Sequence, residues 1–297
     1  MNSSLYKGVF LVGLGATSYG MLATFVKLAY DENYTTAEVT ASQFILGILG
    51  VLIISLFQRF TAKKKGIQAS KKDIFQLMLA GTSLGMTSVF YYLCVKYIDV
   101  SIAIVMLMQT VWMGVLLEWI LDKQIPSTKK IFSVLLVLAG TILATNLLNN
   151  SDTINYIGIF WGLLAAASFT ITMFTANRIA TNISASQRSL FMLLGGAIIV
   201  FGFGIYTQVT PFNFTIFLKW GILLALFGTI IPPLLMNTGF PITGIGLGSI
   251  VSALELPVSV LMAYLILNET VIFEQWLGVA IILLAIVLMN INHKKKK

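Results

Sequence analysis

The stretch GLGSIVSALELPVSVLMAYLIL, residues 246–267, decides the fold of this chain. It carries one charged side chain, Glu255, and about 20 mostly apolar residues are enough for a helix to cross the hydrocarbon core of a membrane. Glu255 is the tenth residue, so a rise of 1.5 Å per residue places it near the middle of the bilayer. An ionisable group at that depth costs about 2.5–3.5 kcal/mol on insertion scales and marks a functional site by default. The stretch therefore predicts both a membrane-spanning helix and the position of a site.

The rest of the chain is also rich in apolar residues and poor in charged ones. Of its 297 residues, 58% are hydrophobic and 10% are charged, whereas a soluble domain carries about a quarter charged residues. This composition excludes a water-soluble enzyme, a disordered protein and a secreted scaffold. Ten apolar segments predict an all-α integral membrane protein with ten transmembrane helices. They are residues 8–29, 37–58, 74–95, 100–120, 131–148, 157–177, 188–207, 216–236, 246–267 and 273–292.

The positions of the basic residues predict the orientation of these spans. Lys and Arg in short loops favour the cytoplasmic side. With both termini cytoplasmic, 16 of the 19 basic residues fall inside, and Lys27, Lys96 and Lys219 lie near outer ends of spans. The net charge of +8 is then a topology signal and not a nucleic-acid patch.

Five spans on each side of a polar stretch indicate an internal repeat. The predicted units are residues 1–148 and 156–297, joined by an outer linker at 149–155. The segments QTVW (109–112) and LDKQ (121–124) lie 146 residues before ELPV (255–258) and LNET (267–270). An odd number of spans per half orients the halves oppositely, which is the inverted repeat of secondary transporters.

The motif ALELP at 253–257, with LNET at 267–270 and then Gly278, resembles the end of an EamA domain of the drug/metabolite transporter superfamily. The resemblance covers nearly the whole chain and implies ten helices in two inverted EamA halves. It most often implies efflux of amino acids or related metabolites. The first half departs from the pattern, with Val111 where a proline is common and Lys123 where a loop glutamate is common. Gln43 stands where an arginine is frequent.

Several polar side chains are candidates for binding a substrate. Ser252, Glu255 and Ser259 share one helical stripe, and Gln109, the repeat mate of Glu255, shares a face with Trp112. A seam of helix packing is the alternative interpretation of each. The predicted substrate-binding set is Glu255, Gln109, Trp112, Ser252, Ser259, Tyr92, Ser88, Ser168 and Thr17.

Three prolines are candidate hinges. Pro232 and Pro233 should bend or break the eighth span and free carbonyls near Asn237, and Pro257 can loosen the ninth. No metal-ligand spacing and no phosphate loop is present, and the chain has one cysteine and one histidine. We therefore expect no cofactor, no metal site and no enzymatic activity.

The sequence predicts a secondary transporter for a small organic metabolite that works by alternating access. Glu255 would bind a cationic group of the substrate, carry a proton, or both. An exporter of lipophilic or quaternary-ammonium cations is the alternative within transport, and a channel or a membrane-embedded enzyme fits less well. The expected partners are the substrate, membrane lipids and protons, in a monomer or homodimer. The expected location is a bacterial cytoplasmic membrane, with an organellar membrane as the alternative.

Overall fold

A computed structural model describes residues 3–61, 67–98, 100–146 and 155–290. The predicted linker up to residue 154, the lysines at 63–65 and the terminal run with His293 lie outside the described residues. Within these ranges the chain is helical and contains no strand. The helices are α1 (Ser3–Asp31), α2 (Thr36–Thr61), α3 (Lys71–Tyr97), α4 (Val100–Leu107), α5 (Thr110–Asp122), α6 (Thr128–Ala144), α7 (Tyr156–Arg178), α8 (Ala185–Thr207), α9 (Phe217–Thr243), α10 (Ile245–Ser252), α11 (Glu255–Ile266) and α12 (Phe273–Asn290).

Nine helical segments of the described chain are long and apolar enough to cross a membrane, with α4–α5 and α10–α11 each counted as one segment. The chain is therefore a multi-pass membrane protein. The predicted span at 131–148 corresponds to α6, which has 17 residues. This is below the roughly 20 residues of a typical crossing helix, so a tenth span stays a prediction.

The helix bundle has two ends, the mouth end and the closed end, which are defined by the connections that each carries. The mouth end carries the connections at 32–35, 208–216 and 267–272, and there Glu32 accepts a hydrogen bond from Trp220 Nε1 at 3.0 Å. The closed end carries the connections at 123–127 and 179–184, and there Arg178 pairs with Asp122.

Serine N-caps begin three helices at the closed end. Ser70, Ser127 and Ser184 each accept a hydrogen bond from a backbone N–H in the first turn of α3, α6 and α8. Asp73 completes a capping box with Ser70. Such caps satisfy backbone donors that the first turn of a helix leaves unpaired. Local sequence thus sets where these helices start.

Each half makes equivalent helix contacts to the other half. In one arrangement α3 packs against α7 and α8, and its counterpart α9 packs against α1 and α2. The pairs α2–α8 and α6–α12 join equivalent helices across the halves, and α5 packs against α10, which belongs to the span equivalent to its own. Glycines allow the closest of these contacts: a Cβ atom at Gly196 would lie 3.1 Å from the backbone nitrogen of Gly85. The core is therefore an interface between halves.

Two predicted spans are interrupted where the sequence suggested continuous helices. The fourth breaks at Met108–Gln109 and the ninth at Ala253–Leu254. Pro257 has no N–H to bond the Ala253 carbonyl, which instead accepts from Leu256 N at 3.2 Å. A proline is tolerated in the first turn of the helix that restarts there. The break in the first half forms without a proline.

The eighth span is not broken at Pro232 and Pro233, where the sequence predicts a bend or a break. Helix α9 continues through them, because π-helical turns at 217–221 and 226–230 precede the prolines and change the hydrogen-bond register. The carbonyl of Asn237 is freed instead by Pro241, four residues later, which has no N–H. Arg188 Nη1 donates to that carbonyl at 2.6 Å.

Candidate substrate cavity

A cavity of about 540 Å³ lies between the two halves. Its wall is formed by residues of α1, α2, α3, α4, α6, α7, α9, α11 and α12. Its rim includes Asp31, Glu269 and Thr270, which belong to the mouth end. Ligand sites in proteins are clefts of roughly 300–1,000 Å³ with a few placed polar groups, so the size suits a small organic molecule.

The break between α10 and α11 places Glu255 on the cavity wall as the first residue of α11. A carboxylate at a helix N-terminus is favoured by the helix dipole. Within the described ranges, no hydrogen bond or ion pair joins the Glu255 carboxyl to another group. Two titratable side chains, Tyr19 from α1 and Tyr91 from α3, interact with it electrostatically. A proton or a cationic ligand would remove the cost of this lone charge.

Aromatic rings line the cavity from the level of Glu255 up to its rim. The Tyr19 and Phe169 rings meet edge to face with centroids 5.9 Å apart. Tyr92 contacts Tyr30 and Tyr91 at 6.3 Å and 6.2 Å between centroids. All five residues line the cavity. The wall therefore combines apolar surface with ring faces that attract cations.

Two polar side chains are buried on the same wall without a partner. Gln43 is 6% exposed and Thr24 is 3% exposed. Neither side chain makes a hydrogen bond within the part of the chain that the structure describes, and both face the cavity. Buried polar groups are nearly always hydrogen-bonded. These two side chains are thus poised for a ligand or for water.

An ion pair stands at the rim of the cavity. Lys27 from α1 pairs with Glu269 from the α11–α12 connection, with about half of each side chain exposed. Glu32, just outside the cavity, pairs with Lys219 at 2.7 Å. The Lys219 and Trp220 side chains that bond the Glu32 carboxylate hold its pKa below the ordinary value. Both of these mouth-end lysines are therefore neutralised by acids.

The floor of the cavity separates it from the closed end. Tyr19, Leu84 and Phe169 also line a second cavity of only about 20 Å³, which extends towards Met236 and Asn237. Beyond it, Glu118 pairs with Lys130 and accepts a hydrogen bond from Gly246 N at 3.2 Å. Among the described residues, the cavity therefore reaches the mouth end and is closed off from the other end.

Four of the predicted substrate-binding residues lie on the cavity wall: Glu255, Ser259, Tyr92 and Ser88. Five do not: Gln109, Trp112, Ser252, Ser168 and Thr17. The break at 253–254 separates Ser252 from the stripe that Glu255 and Ser259 continue, and its hydroxyl donates to Gly248 O at 3.0 Å.

The Gln109 and Trp112 side chains form a hydrogen bond with each other outside the cavity. Trp112 Nε1 donates to Gln109 Oε1 at 2.8 Å, and Gln109 Nε2 donates to Val105 O at 3.0 Å. Trp112 is 37% exposed on the outer surface of the bundle. Ser168 is buried, and Thr17 is partly buried. The predicted hinge prolines Pro232, Pro233 and Pro257 are all buried.

Sequence reasoning missed several residues of the wall, above all Tyr19, Thr24, Gln43 and Phe169. Gln43 departs from the family pattern and Thr24 shares a stripe of α1 with Thr17, but neither was predicted to bind a substrate. No group of three His, Cys, Asp or Glu side chains that could hold a metal ion occurs within the described ranges.

Comparison with known proteins agrees with this architecture. A solved structure described as "Crystal structure of protein" superposes with a TM-score of 0.77 at 14% identity, covering 94% of this chain and 98% of the other. This likeness shows the fold alone. No curated protein matches the chain. The family model of the EamA-like transporter family matches residues 6–146 and 156–291, one repeat in each half. The chain therefore belongs to the EamA-like transporter family, a family of membrane transporters in the drug/metabolite transporter superfamily.

Proposed function

We propose that this protein is a secondary transporter of a small organic solute, working by alternating access of the central cavity to the two sides of the membrane. The observation that carries the proposal is a cavity between two repeated halves, open at one end and sealed at the other, with the unpartnered Glu255 on its wall. Carriers of this kind bind substrate near the membrane midplane at the repeat interface.

The direction of the helices supports an inverted repeat. Helices α1 and α2, and then α2 and α3, reverse direction at their connections, so α1 and α3 run the same way. Ser83 meets Thr172 at 2.8 Å, and Cys94 lies against Gly162. These contacts make α7 antiparallel to α3. The first helix of the second half therefore runs opposite to α1, its counterpart in the first half.

We propose that the mouth end faces outward from the cytoplasm and that both termini are cytoplasmic. Lys71, Lys72, Lys123 and Arg178 lie at the closed end, as the positive-inside rule requires of a cytoplasmic face. Lys27 and Lys219 at the mouth end are both held in ion pairs with acids. A bacterial cytoplasmic membrane is the proposed location.

Glu255 is the proposed coupling residue. Intramembrane acids mark proton relays and substrate pathways, and Tyr19 and Tyr91 are the described titratable side chains that face it from α1 and α3. Release of a cation from Glu255 would leave an unpaired carboxylate, and a proton removes that cost. If a proton replaces the solute at Glu255, an inward proton gradient would drive export of the solute. The two candidate substrate classes are amino acids or related metabolites, and lipophilic cations.

Counterflow in proteoliposomes tests the proposal. The full-length chain is reconstituted, the vesicles are loaded with an unlabelled solute, and uptake of the labelled solute is followed. A carrier gives saturable uptake that rises transiently above equilibrium when the vesicles are preloaded. Large, non-saturating conductance would show a channel, and chemical conversion of the solute would show an enzyme. Either result would contradict the proposal.

A further inference from the structure

The charges on the cavity wall are unbalanced. The lining residues of the described chain include three carboxyl side chains, Asp31, Glu255 and Glu269, and one basic side chain, Lys27. Lys27 and Glu269 pair at the rim, so their charges cancel. With all groups ionised, Asp31 and Glu255 leave a net negative wall. Charge of one sign in a cleft with low-dielectric walls attracts the opposite charge and repels its own.

The basic group is far from the deep acid. Gly20 of α1 lies directly against the Glu255 backbone, and Lys27 is seven residues further along the same helix. A rise of 1.5 Å per residue separates the two levels by about 10 Å. The space around Glu255 therefore contains no described basic side chain, and Lys27 acts only at the rim.

The cavity wall also offers neutral hydrogen-bonding groups. Gln43 and Thr24 are more than nine-tenths buried, have no partner among the described residues and face the cavity. They belong to α2 and α1, whereas Glu255 begins α11, so polar groups from three helices line one cavity. A mostly apolar wall with a few polar groups from different helices is typical of a ligand-binding site.

We propose that the cavity selects organic monocations, with an ammonium group at Glu255 and an apolar body against the Tyr19, Tyr91 and Phe169 rings. This inference rests on the proposed transport function and narrows its substrate class. Ring faces stabilise an ammonium group in addition to the carboxylate. Organic anions would meet a wall of their own charge with no basic partner at depth.

α-Amino acids fit this site less well than simple amines. Their ammonium and carboxylate are attached to one carbon atom, so a molecule that places its ammonium at Glu255 cannot reach Lys27. Its carboxylate would lie desolvated near Glu255 without a cation, which is costly. The cavity therefore favours amines without a neighbouring carboxylate.

A series of four compounds with the same phenyl body tests the inference. Thermal unfolding of the detergent-purified full chain is measured with 3-phenylpropylamine, 3-phenylpropanol, phenylalanine and 3-phenylpropanoate at neutral pH. A ligand of the folded state raises the apparent stability. The amine is expected to bind at least about tenfold more tightly than phenylalanine, and 3-phenylpropanoate is expected to give no shift. Equal or tighter binding of phenylalanine or 3-phenylpropanoate would overturn the inference.

Matched variants locate the preference in the cavity. Glu255→Gln should bring the amine and the alcohol to similar affinity, and Glu274→Gln, an exposed glutamate of α12 outside the cavity, should keep the wild-type preference. Lys27→Gln removes the sole described base of the wall and should leave amine binding unchanged or tighter, so it tests the inference even if Glu255→Gln does not fold. Weaker amine binding in Lys27→Gln, or an unchanged preference in a folded Glu255→Gln, would contradict it.

The outcomes separate this inference from the transport proposal. Amine binding without saturable counterflow of the amine would reject the carrier and keep the selectivity of the site. Saturable counterflow of phenylalanine or 3-phenylpropanoate in preference to the amine would keep the carrier and reject the selectivity.

Discussion

At the scale of single residues, Arg188 shows how the closed end is held together. Its side chain is 2% exposed, and its nitrogens donate to four backbone carbonyls of Thr175, Ala176, Ile179 and Asn237 at 2.6–3.0 Å. Three of these carbonyls lie at the C-terminal end of α7, where a cation is favoured by the helix dipole. Arg188 thus ties α7 and α9 to the start of α8.

We predict that Arg188→Met destabilises the protein by about 3 kcal/mol or more, because each buried polar group left without a partner costs about 1–3 kcal/mol. Chemical or thermal unfolding in detergent measures the loss. The matched control is Arg178→Met, whose pair with Asp122 is more than one-third exposed and should contribute under about 1 kcal/mol. Similar losses of unfolding free energy in the two variants would contradict the structural role of Arg188.

Glu255 could be predicted from the sequence, because a charge in the middle of an apolar span is costly and is kept mainly where function requires it. The burial of Arg188 could not, since a basic residue near a span end is equally typical of a loop. Gln109 and Trp112 were inferred from repeat symmetry. The cavity opens at one end only, so equivalent positions in the two halves need not share it, and these side chains instead bond each other.

At the scale of helices, the contact between α3 and α8 depends on small residues. A Cβ atom at Gly195 would collide with the Met78 backbone, whereas one at Gly202 would find no atom within 4 Å. Helices that associate in membranes use such small residues to bring their backbones together. The two glycines lie in the same helix, so they share the same intrinsic cost of glycine.

We predict opposite effects for the two alanine variants. Gly195→Ala should lower the unfolding temperature, because the two helices must move apart. Gly202→Ala should leave it unchanged or raise stability by up to about 1 kcal/mol, the gain in helix propensity. Thermal unfolding monitored by circular dichroism distinguishes them. A neutral Gly195→Ala would show that α3 and α8 are not packed as described.

Hydropathy located the nine long apolar segments, and it did not predict the helix interruptions. The α10–α11 break follows from Pro257, whose missing N–H changes the bonding of Ala253. The α4–α5 break has no proline and could not be read from local sequence. The π-helical turns of α9 precede Pro232 and Pro233 and preserve a helix that those prolines would otherwise interrupt.

At the scale of the whole molecule, the proposed orientation requires the cavity to open on the side opposite the cytoplasm. We predict that a membrane-impermeant thiol reagent added outside intact cells labels Ser259→Cys and Ser88→Cys, in a chain where Cys94 is replaced by alanine. Ser168→Cys, buried in α7 away from the cavity wall, should react far more slowly. Labelling of Ser259→Cys only in inside-out vesicles would reverse the proposed orientation.

Solute flux driven by a pH gradient is the most direct test of whether Glu255 couples transport to protons. Proteoliposomes containing wild-type protein, Glu255→Gln or Glu274→Gln are compared with and without an imposed gradient, using a solute that shows counterflow. Coupling through Glu255 predicts gradient-dependent flux in the wild type and in Glu274→Gln, and loss of that dependence in a correctly inserted Glu255→Gln. Unchanged pH-driven flux in Glu255→Gln would contradict it.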